Sequence, residues 1–175
     1  DLTEVEIDRG TVRQYAVGDL RARVLDALTR HVESIGPVGR EDLAAMEEFH
    51  FGGREATRAL AVSAELTPGL TVLDVGSGIG GPVRTLAAEF GCRPTGLDLI
   101  EEFCSVARLL NDYTDMGDLI DIVCGSATAM PFKDKSFDIV WLQFVQMNIR
   151  DKAGLAAEIA RVLRPGGRLA MHEVF

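Results

Sequence analysis

Cysteine is scarce and scattered. The chain has three, Cys92, Cys104 and Cys124, an odd number at wide spacing. That excludes a disulfide-dense secreted scaffold and gives no zinc-ligand spacing. The expectation is reduced thiols, no metal site and a cytoplasmic location. Basic residues are in deficit, 18 Lys and Arg against 27 Asp and Glu, for a net charge of −9. A nucleic-acid partner wants a basic face, so the balance argues against one. No apolar run approaches the ~20 residues of a membrane span. No signal-peptide pattern opens the chain, which begins at Asp1, so a trimmed N-terminus is expected. Internal repeats and low-complexity tracts are missing.

What is present is an ordinary globular composition. The 175 residues are 47% hydrophobic and 26% charged, enough for one domain with a real core. The most informative stretch is TVLDVGSGIGGPVRTLAAEF, residues 71–90. Val72, Leu73 and Val75 make a short apolar, β-branched strand. Residues 76–81 are glycine-rich. Pro82 then suits a first helical turn, where it has no N–H to satisfy. Val83, Leu86, Ala87 and Phe90 recur at helical spacing. Strand, glycine loop and helix together open a doubly wound α/β domain that binds a nucleotide-like ligand. The glycines let backbone approach the ligand, and N–H groups at the helix start are expected to face it.

Two glycine patterns overlap here. Gly76, Gly78 and Gly81 fit the dinucleotide pattern G-x-G-x-x-G. Asp74 opposes that reading, because a carboxylate at the end of the strand repels a pyrophosphate. It favours a ligand carrying positive charge. LDVGSGIGG resembles the first motif, acidic-x-Gly-x-Gly-x-Gly, of the class I S-adenosylmethionine (SAM)-dependent methyltransferases. In this chain the motif falls on Asp74, Gly76, Gly78 and Gly80. The resemblance implies a Rossmann-like parallel sheet of strand order 3-2-1-4-5. It implies SAM as cofactor and S-adenosylhomocysteine as product.

Upstream, a helix is predicted from Asp19, its N-cap, with Leu20, Val24, Leu28, Val32 and Ile35 on one face; Gly36-Pro37 stops it. On this reading His31 lies on the charged, solvated side. Glu41 to His50 reads as a second short helix and Arg54 to Leu66 as a third. Residues 1–68 are therefore expected to form a helical cap, and 69–175 the cofactor-binding core. Arg54 suits the SAM carboxylate, since a guanidinium matches carboxylate geometry, and Thr57 offers a hydroxyl. The alternative is a helix break at Gly52-Gly53 with Arg54 solvated.

Downstream, Pro94 to Leu99 reads as the second strand. Asp98 lies 22 residues after Gly76, where a carboxylate can accept both ribose hydroxyls. The alternative is a cap for the following helix, Glu101 to Tyr113; the two roles lie side by side, and ribose binding is the one expected. Ile120 to Cys124 reads as the third strand. In the family resembled, the next turn reads Gly-Asp-Ala and its acid meets the adenine amino group. Here Ser126 stands in for the acid, with a hydroxyl that can still hydrogen-bond more weakly, and Ala127 matches; the alternative is an ordinary surface turn. Phe137 to Phe144 is an almost unbroken apolar run, as in a central parallel strand. Its end, Gln143 and Phe144, is expected at the sulfonium, with Met147 and Asn148 nearby. Asp151 to Leu163 reads as a helix, RPGG at 164–167 as a turn, and 168–175 as the fifth strand.

The resemblance covers residues 69–175 and is strongest to the small-molecule branch, of the ubiquinone-biosynthesis and glycine/sarcosine/dimethylglycine type. DKAGLAAEIARVLRPGG and the HFGG segment carry it. It implies the cofactor contacts Asp74, Gly76, Ser77, Gly78, Gly80, Asp98, Leu99, Ser126, Ala127 and Gln143. The Asn/Asp-Pro-Pro-Tyr/Phe motif of DNA-base methyltransferases is absent after the fourth strand. The family's sheet has seven strands and this sequence reaches the fifth, so an incomplete chain is expected. The predicted reaction is methyl transfer to a nitrogen, oxygen or carbon of a small molecule. His50 and His172 are weak candidates for a base. The alternatives are an NAD-dependent oxidoreductase using Gly76, Gly78, Gly81 and Asp98, and a non-catalytic SAM-binding domain. Oligomeric state is not legible.

Overall fold

A computed structural model describes residues 19–34, 36–44, 47 and 52–173. The expectations for residues 1–18, for Ile35 and for His50 lie outside them. Five parallel strands form one sheet in the order β3-β2-β1-β4-β5. They are β1 (Thr71–Val75), β2 (Arg93–Asp98), β3 (Asp121–Cys124), β4 (Phe137–Gln143) and β5 (Leu163–His172). The helices are α1 (Leu20–Ser34), α2 (Arg40–Leu43), α3 (Gly53–Ser63), α4 (Gly81–Phe90), α5 (Glu101–Tyr113) and α6 (Lys152–Val162). A short 3-10 turn spans Gln146–Asn148.

Strand alternation sorts the core into two layers. Val72, Ile139, Trp141 and Ala170 pack with Leu86 of α4 and Ala61 of α3. On the other face Leu73, Val140 and Leu142 pack with Leu155, Ile159 and Val162 of α6. Trp141 is fully buried at the centre of β4. Helix α1 lies against α5, placing Val24 and Leu28 among Ile79, Val106 and Leu110. Of the expected cap helices, α3 packs on the sheet through Ala61, and α1 packs on α5 and Ile79.

The helix ends differ from expectation in instructive ways. Asp19 has φ +76°, left-handed, rather than the extended backbone that an N-cap needs. The Leu20 N–H is instead satisfied by Glu102 Oε1 on α5, at 2.6 Å. This cap comes from tertiary structure and has no local signature. His31 is half-buried, not solvated, with Nε2 3.6 Å from Asp42. At α6 the expectation and the structure agree on Asp151, whose carboxylate accepts the Gly154 N–H at 2.8 Å. RPGG is not a free turn: β5 begins at Leu163, paired with Phe137, and reaches Arg168 opposite Ile139 through a register shift.

Candidate functional site

The carboxyl ends of β1, β2 and β4 converge. That is the position where an open parallel sheet binds its ligand, because the strand order reverses beside β1. Gly76, Gly78 and Gly80 all have left-handed backbone, φ +77°, +55° and +87°. Gly80 is the residue preceding α4, and Pro82 lies in its first turn. Gly81, the third glycine of the dinucleotide pattern, is instead the first residue of α4. The conformation therefore follows the acidic-x-Gly-x-Gly-x-Gly spacing.

Gly76 has a second constraint. A Cβ on it would lie 2.3 Å from Cγ2 of Val145, so the turn after β4 presses directly on the glycine loop. That turn is itself held. Phe144 has φ +55°, and its N–H donates to His172 O at 3.1 Å. Glu173 Oε1 accepts the N–H groups of Val145 and Gln146, each at 3.0 Å. His172 packs edge-on against Phe144, with ring centroids 5.0 Å apart.

The loop N–H groups do not behave as expected. Gly76 and Ser77 both donate to Leu97 O, at 2.7 and 3.1 Å, and Gly80 donates to Ser77 O. Gly78 donates to Asp98 Oδ2 at 2.8 Å. These donors lock the loop onto β2. What the glycines offer a ligand is close approach of bare Cα surface, rather than spare hydrogen bonds.

Of the two roles its position offers, Asp98 takes the one at the helix start, and it braces the glycine loop as well. Its Oδ1 accepts the Ile100 N–H at the start of α5, at 2.9 Å, while Oδ2 holds Gly78. Burial raises its pKa above the ordinary carboxylate value, and the N–H groups of Ile100, Gly78 and Leu99 oppose the shift. Asp74 is buried at the end of β1. Ser77 is also buried: a Cβ on Gly96 would lie 2.6 Å from its Oγ, so its side chain packs onto β2. Ser126 makes a local turn, its Oγ 3.0 Å from Thr128 Oγ1 and accepting the Thr128 N–H. Ala127 packs against the α6-side core, and Leu99 is half-buried.

Gln143 is fixed with unusual definition. Its Oε1 accepts from Trp141 Nε1 at 2.8 Å and from Thr57 Oγ1 at 3.0 Å. An indole N–H only donates, so it assigns the amide oxygen. The Nε2 is then a buried donor with no partner among the described residues. Thr57 thus reaches the site through Gln143. Arg54 goes elsewhere. Its guanidinium is buried and bonds Glu47 Oε1 at 2.7 Å, Glu41 Oε1 at 2.8 Å and Arg40 O at 2.8 Å. The expected contact with a ligand carboxylate gives way to a protein carboxylate, since an arginine this deep needs a counter-ion.

Sequence reasoning missed Arg84. On the α4 helix that follows the loop, it is fully buried, and Nε bonds Glu47 Oε2 at 2.9 Å. Its other nitrogens donate to Asn111 Oδ1 and to Ile79 O within the glycine loop, at 2.8 and 2.7 Å. Glu47 therefore bridges Arg54 and Arg84. A charged residue at an inward helical position was the available signal.

The architecture and site define a doubly wound α/β domain with a glycine-loop ligand site at the strand ends. Residues 73–171 match the family model described as a methyltransferase domain, and the chain belongs to that family. It is 36% identical to a sterol 24-C-methyltransferase of Gibberella zeae over 65% of this chain and 30% of that one. It is 31% identical to a glycine/sarcosine/dimethylglycine N-methyltransferase of Actinopolyspora halophila, over 73% of this chain and 22% of the relative. Among solved structures, phosphoethanolamine N-methyltransferase 2 of Haemonchus contortus, in complex with SAM, matches with TM-score 0.67 and 26% identity. That match covers 81% of this chain and 34% of the other. The chain thus spans about a third or less of the length of each of these relatives. These relatives are methyltransferases and lend no support to the oxidoreductase alternative. No helix among the described residues is long and apolar enough to cross a membrane.

Proposed function

We propose that this chain is the SAM-binding, methyl-transferring core of an enzyme acting on a small molecule. The observation that carries the reading is the loop geometry: left-handed Gly76, Gly78 and Gly80 after buried Asp74, and locked by Asp98. Family membership and relatives that methylate small molecules support it. Bound SAM supplies an activated methyl group, open to direct displacement by a nucleophile on the acceptor.

The chain's own residues would bind and orient. Asp98 accepts ribose hydroxyls beside its existing bond to Gly78. Asp74 provides negative potential at the end of β1, suited to a cationic ligand. Gln143 Nε2, pre-aimed by Trp141 and Thr57, donates to the ligand, which would relieve a buried unpaired donor worth about 1–3 kcal/mol. Leu99, Ser126 and Ala127 complete the adenine side, and Ser77 contributes through the loop backbone. His172, beside Phe144, is the candidate base. The net charge of −9 supports an acceptor other than nucleic acid, and the three free cysteines support a reducing, cytoplasmic setting.

A thermal-shift titration with SAM, S-adenosylhomocysteine and NAD tests the cofactor. The first two should raise the melting temperature by mass action, and NAD should not. A shift with NAD alone, or with none of the three, overturns the reading. Asp98→Ala should weaken SAM by ~1.5–3 kcal/mol, roughly tenfold to a hundredfold in Kd by calorimetry. Unchanged affinity would refute the ribose role. Tight SAM binding without S-adenosylhomocysteine release on a panel of amine, hydroxyl and carbon acceptors would favour the non-catalytic alternative.

A further inference from the structure

The wide spacing of the cysteines hides a cluster that only the fold assembles. Cys104 and Cys124, together with Glu101, bring two Sγ atoms and a carboxylate oxygen within 4.8 Å of one another. We propose that Glu101, Cys104 and Cys124 form a binding site for a thiophilic divalent cation, Zn2+ in the cell, at the corner where β2, α5 and β3 meet.

Two elements deliver the ligands, with β2 lying beside them. Glu101 and Cys104 stand three residues apart in the first turn of α5, so both side chains lie on one face of the helix. Cys124 ends β3, in register with Asp98 of β2. The donor set decides the class of ion. Two thiolates and a carboxylate suit zinc, whereas magnesium and calcium want oxygen alone. Zinc–sulfur and zinc–oxygen bonds of about 2.3 and 2.1 Å place tetrahedral ligand atoms roughly 3.5–3.8 Å apart. The cluster must therefore close by no more than about 1.3 Å. Cys104 is buried and fixed, while Glu101 and Cys124 are exposed and free to make that adjustment. Water takes the fourth position, as in open three-ligand sites.

The surroundings suit the charge. Two thiolates and a carboxylate carry three negative charges, of which the dication cancels two. Arg108 supplies the remaining positive charge. Its guanidinium lies 3.1 Å from Glu101 and is anchored by donating to Ile122 O at 3.0 Å. The thiols now point at backbone oxygens. Cys104 Sγ is 3.6 Å from Asp98 O and 3.7 Å from Val123 O, and Cys124 Sγ is 3.6 Å from Leu99 O. Binding releases both S–H protons to solvent, exchanging these weak hydrogen bonds for metal–sulfur bonds. The site draws on no cofactor, so it stands or falls separately from the SAM reading.

The test is a titration of the fully reduced chain, under anaerobic conditions, with Co2+ as the spectroscopic stand-in, followed by displacement with Zn2+. One equivalent should bind with thiolate-to-cobalt charge-transfer absorption, and one equivalent of Zn2+ should remove it. Cys124→Ser should cut that absorption by about half, and Glu101→Gln should keep the absorption; each should weaken binding at least about tenfold. Cys92→Ser, at a distant buried thiol, should change nothing. The proposal is overturned if the reduced chain shows no charge-transfer band. It is overturned equally if Cys124→Ser leaves the band intact, or if two thiols are lost to a Cys104–Cys124 disulfide without metal uptake. Cys124 is exposed, so its variant reports on binding rather than folding, whatever becomes of Cys104→Ser.

Discussion

Glu47 should be the most costly single carboxylate to remove from this chain. It is 2% exposed and bonds two arginines at once, Arg54 at 2.7 Å and Arg84 at 2.9 Å. In Glu47→Ala, Arg54 retains Glu41. Arg84, fully buried, retains among the described residues the neutral acceptors Ile79 O and Asn111 Oδ1. Breaking a buried pair by removing one partner costs about 3–5 kcal/mol, because the remaining charge is left uncompensated. Native stability is only about 5–15 kcal/mol, so the loss is a large share of the total. For a chain of this size it lowers the melting temperature by about 6–20 °C. The internal control is Asp26→Ala, which breaks a pair with Arg30 whose side chains are 61% and 68% exposed, and should cost at most about 1 kcal/mol. Urea denaturation of both variants against the parent makes the comparison. A Glu47→Ala loss no larger than that of Asp26→Ala would refute the buried bridge. Glu47→Leu combined with Arg84→Met should recover much of the loss, since a packed apolar pair replaces the ions.

Gly76→Ala should abolish ligand binding and destabilise the chain, because its Cβ would sit 2.3 Å from Val145 Cγ2 at φ +77°. Adding Val145→Ala removes the Cγ2 contact but leaves Val145 Cβ at 2.7 Å and the left-handed penalty of about 1–2 kcal/mol, so rescue should be partial. Full rescue of folding and SAM-induced thermal shift, or none at all, would contradict that division. Glu89 is held down at about 2 chiefly by its hydrogen bond from Arg58, with Arg40 adding to it. A depressed carboxylate contributes stability above its unfolded pKa of 4.5 and loses it as pH falls to about 2. The stability gap between the parent and Glu89→Gln should therefore narrow across that window. A gap independent of pH would show that the pairing with Arg58 is not electrostatic.

Much of the fold was legible because its signals are local. The alternation and apolar runs of β1 and β4, the glycines after Val75 and Pro82 in the next helix each depend on a few neighbouring residues. The 22-residue interval to Asp98 was equally visible. The choice between Gly80 and Gly81 as the third loop glycine rested on Asp74 alone, and the backbone angles agree with it. Ser126 shows the limit, since its motif position left an adenine contact and an ordinary turn both open, and only the structure turns its hydroxyl back on Thr128.

By itself, then, the sequence determined the core strands, the helix that follows the glycine loop, and the pair of aspartates at the strand ends, whereas the strand order was implied by the family resemblance. These follow from periodicity, backbone permissiveness and short-range spacing, which the chain carries residue by residue. Tertiary structure alone decided where long side chains found partners: Arg54 on Glu47, Arg84 on the glycine loop, Gln143 on Thr57 and Trp141, Glu102 on the α1 terminus. It also placed Cys104 beside Cys124. Such contacts join residues up to 86 positions apart. Their partners are chosen by packing and by the need to satisfy buried charge, and no spacing rule along the chain encodes that choice.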